Sequence, residues 1–83
     1  MYSIEISQSA AEQFDKLSDS LQQRVVKVLE RIRIRPFHFA KKKQGTPYFI
    51  QRVGDYRLIL EINKNKLIIY VIELGLRGKI YKK

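Results

Sequence analysis

The sequence predicts an α+β fold in the order β-α-α-β-β-β, with two N-terminal helices packed on one face of a mainly antiparallel twisted sheet. Three observations lead there. An alternating apolar segment opens the chain, two stretches with helical spacing follow, and three strand-like runs separated by short turns fill the second half. In the opening segment Tyr2, Ile4 and Ile6 alternate with Ser3, Glu5 and Ser7, the pattern of a half-buried strand. Ser9-Ala10-Ala11-Glu12 has the form of a capping box and is expected to open a short helix with Phe14 and Leu17 inward. Ser20 and Gln23 form a second box. The helix after it carries Leu21, Val25, Val28, Leu29 and Ile32 on one face and is expected to stop before Pro36, near Ile34 or Arg35. Its other face shows Arg24, Lys27, Arg31 and Arg35, a basic stripe that reads equally as a solvated face or a binding surface.

Residues 37–47 are expected to form a loop, with His38 as a loop residue and a run Lys41-Lys42-Lys43 before Gly45 and Pro47. Strands are predicted over Tyr48–Val53, Tyr56–Ile62 and Leu67–Leu74, the last two joined through Asn63-Lys64-Asn65-Lys66. In the middle strand Leu58, Leu60 and Ile62 share the face expected under the helices, and Arg57, Ile59 and Glu61 share the open face. Tyr48, Phe49 and Tyr70 are read as sheet packing. The first strand must join this sheet; a strand-helices-strand crossover permits a parallel pairing, and the sequence leaves its position open.

Eighty-three residues suit one domain spanning the whole chain, with a modest core. The absence of cysteine excludes disulfides, thiolate metal sites and a cysteine nucleophile, and a single histidine excludes multi-histidine zinc sites. No metal or other cofactor is expected. Neither a signal peptide nor an apolar run long enough to cross a bilayer is present, so a cytoplasmic protein with no membrane contact is expected. Net charge is +9, from 17 Lys and Arg against 8 Asp and Glu. Its distribution is lopsided. Residues 1–23 hold four acids and one base, whereas residues 24–83 hold sixteen bases and four acids. Such a chain attracts polyanions: RNA, DNA or an acidic protein.

The segment Arg52-Val53-Gly54-Asp55-Tyr56-Arg57 adds a specific feature to that charge. Gly54-Asp55 suits the two-residue loop of a hairpin. That loop sets Val53 opposite Tyr56 and Arg52 opposite Arg57, with both guanidinium groups on one face. Like charges directly opposite destabilise a hairpin, so a bound anion would explain the pair, and phosphate matches the bidentate fork of arginine. The alternative is a pair of exposed arginines bridged to Glu61 or to the chain terminus.

The chain resembles the RelE/ParE superfamily of toxin–antitoxin toxins over nearly its whole length. The match is carried by Gly45-Thr46-Pro47-Tyr48, by Arg52-Val53-Gly54-Asp55-Tyr56-Arg57-Leu58-Ile59, and by Leu74-Gly75-Leu76-Arg77-Gly78-Lys79-Ile80-Tyr81-Lys82, the last similar to archaeal RelE-like tails. The resemblance implies a type II toxin that cleaves mRNA in the ribosomal A site without a metal. It places the catalytic set at Arg52, Arg57, Arg77 and Tyr81. The tyrosine favours the RelE branch over the ParE branch, whose members poison DNA gyrase.

The implied reaction uses the RNA 2′-hydroxyl as nucleophile and needs a base, an acid, and stabilisation of the phosphorane. The three arginines suit the last task. Tyr81 is the implied base, since an arginine cluster favours the ionised phenol, or else a surface for base stacking. Lys79 is the implied acid or a further phosphate contact. Lys41, Lys42, Lys43, Lys79, Lys82 and Lys83 are expected to touch RNA backbone. The implied partners are a RelB-like antitoxin, which wraps the toxin and covers basic surface or displaces the tail, and the ribosome with its mRNA and rRNA. Some relatives carry lysine where Ile50 stands here, and many carry His or Lys where Leu76 stands. Those departures open a third reading beside the gyrase poison, a decayed module that binds RNA or antitoxin without catalysis.

Overall fold

The computed structural model describes residues 1–76 and shows three helices and a five-stranded mixed sheet. In chain order these are β1 (Ser3–Ile6), α1 (Gln8–Asp15), α2 (Asp19–Ile32), α3 (Pro36–Phe39), β2 (Lys41–Lys42), β3 (Phe49–Val53), β4 (Tyr56–Asn63) and β5 (Ile68–Leu76). The sheet order is β1-β5-β4-β3-β2. Consecutive strands from β2 to β5 pair antiparallel, and β1 pairs parallel with β5, Ser3 opposite Ile68 through Ile6 opposite Val71. The α+β class and the antiparallel hairpins agree with the sequence reading. Two short elements do not: the expected loop over 37–47 contains the single turn α3 and the two-residue strand β2. Pro36 therefore does more than end a helix. It occupies the first position of α3, where its missing N–H goes unused.

Both long helices are capped two residues earlier than the capping boxes suggest. Ser7 Oγ accepts from Ala10 N at 3.0 Å, and Ser18 Oγ accepts from Leu21 N at 3.3 Å. The expected caps, Ser9 and Ser20, lie inside the helices, and Ser9 Oγ instead donates to Glu73 Oε1 at 2.6 Å. The apolar faces are unaffected by this shift. Helix α2 ends at Ile32 with Arg33 as C-cap, so Arg35 stands beyond the helix at φ −137° and ψ 72°, outside the helical region that a following proline disfavours. Gln22 Nε2 donates to Phe14 O at 2.9 Å and satisfies one terminal carbonyl of α1.

The core lies between α1, α2 and one face of the sheet. Ala10, Leu17, Val25 and Ile32 pack against Val53, Leu58, Leu60, Ile69, Val71 and Leu74, with Ala40 closing one side. On β5 the inward residues change phase: Val71 and Leu74 are three apart. A bulge allows this. Ile59 pairs with Glu73 and Leu60 with Val71, so Ile72 is the extra residue. Ser7 Oγ–H donates to Ile72 O at 2.6 Å, and Ser7 N–H donates to Val71 O at 2.9 Å. One serine thus caps α1 and supplies a partner to the bulge carbonyl.

The turn between β4 and β5 contains the one non-glycine residue with positive φ among the described residues, Leu67 at +56°. Its side chain is exposed. An L-residue in the left-handed region costs about 1–2 kcal/mol, part of which glycine returns as unfolded-state entropy. Leu67→Gly is expected to raise stability by about 0.5–1 kcal/mol in urea denaturation.

Candidate nucleic-acid interface

The hairpin of β3 and β4 has the predicted register: Val53 faces Tyr56 and Arg52 faces Arg57. Gly54, at φ +61°, is the one residue of the two-residue loop with positive φ, the pattern of a II′ turn. Such a loop closes on a hydrogen-bonded pair. Arg52 and Arg57 therefore form the next, non-hydrogen-bonded pair, whose Cα atoms approach to about 4.5 Å and whose side chains are closest. Val53 is buried against the helices, so alternation sends both guanidinium groups to the opposite face. Arg52 is exposed and makes no ion pair with any described residue, which leaves the alternative of a bridge to Glu61 without support there. Arg57, on a central strand, is half-buried.

Pairing arranges the open face in rows. The row nearest the turn reads Arg52, Arg57, Gly75. With no side chain at Gly75, the floor beside Arg57 is bare backbone, a place where a ligand can approach closely. The next row reads Lys41, Ile50, Ile59, Glu73, and a further one Glu61, Tyr70, Glu5. The arginines thus lie nearest the hairpin turn, Lys41 and Glu73 share the row beside them, and the carboxylates of Glu61 and Glu5 lie toward the far end. Ile59 is buried even on this side, and with Ile50 it makes an apolar floor behind the arginine row.

The lysine run does not act as one patch. Lys41 pairs with Ile50 and shares the arginine face, whereas Lys42 pairs with Phe49 and lies on the other face. Lys43 follows the strand, its N–H donating to Tyr48 O at 2.9 Å. Alternation within Lys41-Lys42 was the available signal, usable only once the two residues are known to be a strand. Ile50 is on the open face. Leu76 pairs with Tyr56, on the row of Val53 rather than that of the arginines. Phe49 packs on the core and edge-to-face on Phe37 at 5.4 Å, and Tyr70 is half-buried on the open face. His38 is exposed in α3, edge-on to Phe39 at 4.8 Å. Arg77, Lys79, Tyr81, Lys82 and Lys83 lie outside the described residues.

Sequence reasoning put Arg24 in the basic stripe of the helix and missed its place beside the hairpin. From α2 its guanidinium reaches the hairpin turn, where a Cβ added at Gly54 would meet Nη1 at 3.2 Å. The turn needs glycine for its positive φ, while a Cβ there would ask only a few tenths of an ångström of the flexible end of Arg24. Among the described residues no group of His, Cys, Asp and Glu is placed to hold a metal ion, and no helix is long and apolar enough to cross a membrane.

The model of the family described as ParE toxin of type II toxin-antitoxin system, parDE, matches residues 4–81. Among solved structures, the chain is similar to RelE of the archaeal RelE–RelB complex from Pyrococcus horikoshii OT3, with 24% identity, a TM-score of 0.81, and 94% of this chain and 97% of that one covered. It is also similar to the isolated E. coli RelE toxin, at 23% identity and a TM-score of 0.83 over 98% and 92% of the two chains. The intact E. coli RelBE toxin–antitoxin complex gives 20% identity and a TM-score of 0.80 over 95% and 100%. At these identities the structural likenesses speak for the fold. No curated protein matches the sequence.

Proposed function

The chain belongs to the RelE/ParE toxin superfamily, within the family of ParE toxins of type II toxin–antitoxin systems, and from that premise we propose that it is a RelE-type endoribonuclease that cuts mRNA in the ribosomal A site. The supporting observation is the Arg52–Arg57 pair, two like charges directly opposite on an open sheet face beside the bare backbone of Gly75. A phosphate between them turns a repulsive arrangement into a bidentate one.

In the proposed reaction the RNA 2′-oxygen attacks the adjacent phosphorus and loses its proton to a base. The phosphorane carries two negative charges, and the bond to the 5′-oxygen breaks as that oxygen gains a proton. The products are a 2′,3′-cyclic phosphate and a 5′-hydroxyl. Arg52 and Arg57 hold and neutralise the phosphorane, joined by Arg77, two residues beyond Gly75 in sequence. Tyr81 takes the proton, and Lys79 gives one or adds a contact. Lys41, on the arginine face, meets the RNA backbone, as do Lys42, Lys43, Lys82 and Lys83. The RelE–RelB complexes among the similar structures support a RelB-like antitoxin as partner; the ribosome is the second partner proposed.

Expression without antitoxin, with mapping of mRNA ends, tests this reading. Growth arrest with cuts in translated messages is expected, and Arg77→Ala is expected to restore growth. Arrest with intact mRNA would overturn it. The family description favours one rival, a gyrase poison, whose mark would be DNA damage in the arrested cells with messages left whole.

A further inference from the structure

Helix α2 presents a basic flank that the proposed site does not use. Arg24, Lys27 and Arg31 follow one another at intervals of three and four residues, so they lie on one side of the helix and span about 10 Å of its axis. All three are exposed. The nearest acid on the helix, Glu30, is occupied with Arg33 at 3.6 Å. Lys27 and Arg31 make no ion pair with any described residue. Arg24 leans on Gly54, which anchors this flank to the hairpin that carries the arginine pair. The sheet lies between the two surfaces: Arg52 and Arg57 leave it on the side away from α2.

We propose that this flank of α2, with Lys27 and Arg31 at its centre, is a second RNA contact that grips the phosphate backbone of a duplex while the arginine pair grips the strand to be cut. The proposal rests on the RNA reading of the open face. The residue types decide between partners. Sites for single strands combine positive charge with aromatic platforms for the bases. The flank has no aromatic residue, whereas the open face has Tyr70. Duplex RNA is held through phosphates and 2′-hydroxyls without base stacking, which needs only donors and charge. A protein partner would need apolar anchors. The exposed apolar residue of α2, Val26, sits in a groove with Phe14, Gln22 and Gln23 that Lys27 borders and that Arg24 and Arg31 do not line.

The test measures binding of the purified full chain to a 20-base-pair RNA duplex and to a short single-stranded RNA across a salt series. The Lys27→Gln/Arg31→Gln variant is expected to weaken duplex binding about tenfold, to flatten the log K against log salt slope by about two, and to keep single-strand binding. The Arg52→Gln/Arg57→Gln variant is expected to do the reverse. Both α2 substitutions are at exposed positions, and circular dichroism melts check that each variant is folded. Unchanged duplex affinity and slope in the α2 variant would overturn the proposal. So would equal loss of both RNAs in both variants, or loss confined to an acidic helical peptide run in parallel. If the unaltered chain binds neither RNA, the RNA reading of the open face falls as well, an outcome distinct from failure of the α2 flank alone.

Discussion

Arg52→Gln is expected to lower the single-turnover rate of mRNA cleavage on programmed ribosomes by about 10²–10³-fold, the loss typical when one preorganised partner of a developing oxyanion is removed. The same substitution is expected to leave the melting temperature unchanged or slightly raised. Arg52 is exposed and makes no ion pair with any described residue. What it does have is a like charge directly opposite, which opposes the hairpin by roughly 0.2–1 kcal/mol. Opposite signs for activity and stability separate a phosphate clamp from a structural pair. A melting temperature several degrees lower would show that the pair supports the hairpin and would remove the reason for placing a phosphate there. Arg52→Lys should fall between, since lysine keeps the charge and loses the planar fork.

Ser7→Ala is expected to destabilise the fold by about 2–4 kcal/mol in urea denaturation. Loss of an N-cap accounts for about 1 kcal/mol. A carbonyl that loses its partner accounts for roughly 1–3 kcal/mol more. Both follow from one hydroxyl, which accepts from Ala10 N and donates to Ile72 O. In a domain of this size each kcal/mol moves the melting temperature by about 4–8 °C, so a thermal melt reads the effect easily. Ser7→Thr keeps both bonds and should cost much less. A loss under about 0.5 kcal/mol for Ser7→Ala would mean that water replaces the serine at the bulge and that the helix does not need this cap.

The hairpin register was legible because it depends on local chemistry. A two-residue Gly-Asp loop phases both strands at once, so the position of Arg52 against Arg57 followed from counting outward. The inward faces of α2 and β4 were legible for the same reason, periodicity. The caps were displaced because serines recur at positions 7 and 9 and at 18 and 20, and the choice within each pair is made by where the preceding segment ends. At the start of α1 it is made by a contact 65 residues away, Ser7 with Ile72. The bulge left a trace, the change of phase between Val71 and Leu74, that a reading of simple alternation passes over. Elements as short as α3 and β2 carry too little periodicity to be seen. They exist because Phe37 finds Phe49 and because Lys41 and Lys42 find an edge of β3. For the site, the arginine pair came from charge and register, whereas the roles of Arg77 and Tyr81 came from likeness to a family. Arg24 at the turn could not have been read from sequence at all, because a helix residue says nothing of which loop it will lie upon.

The strand order has a consequence for how the chain acquires its shape. β5 is the last strand described and yet sits inside the sheet, between the first strand and the fourth. Until residues 68–76 are available, β1 has no neighbour and the two helices cover a hairpin too narrow to fill their apolar faces. The early part of the chain must wait for the late part, and the closing contacts span nearly the whole sequence. Separations of that order slow folding. While residues 68–76 are unmade or unpaired the chain is basic and incompletely ordered, and that interval is the time available for another molecule to reach it first.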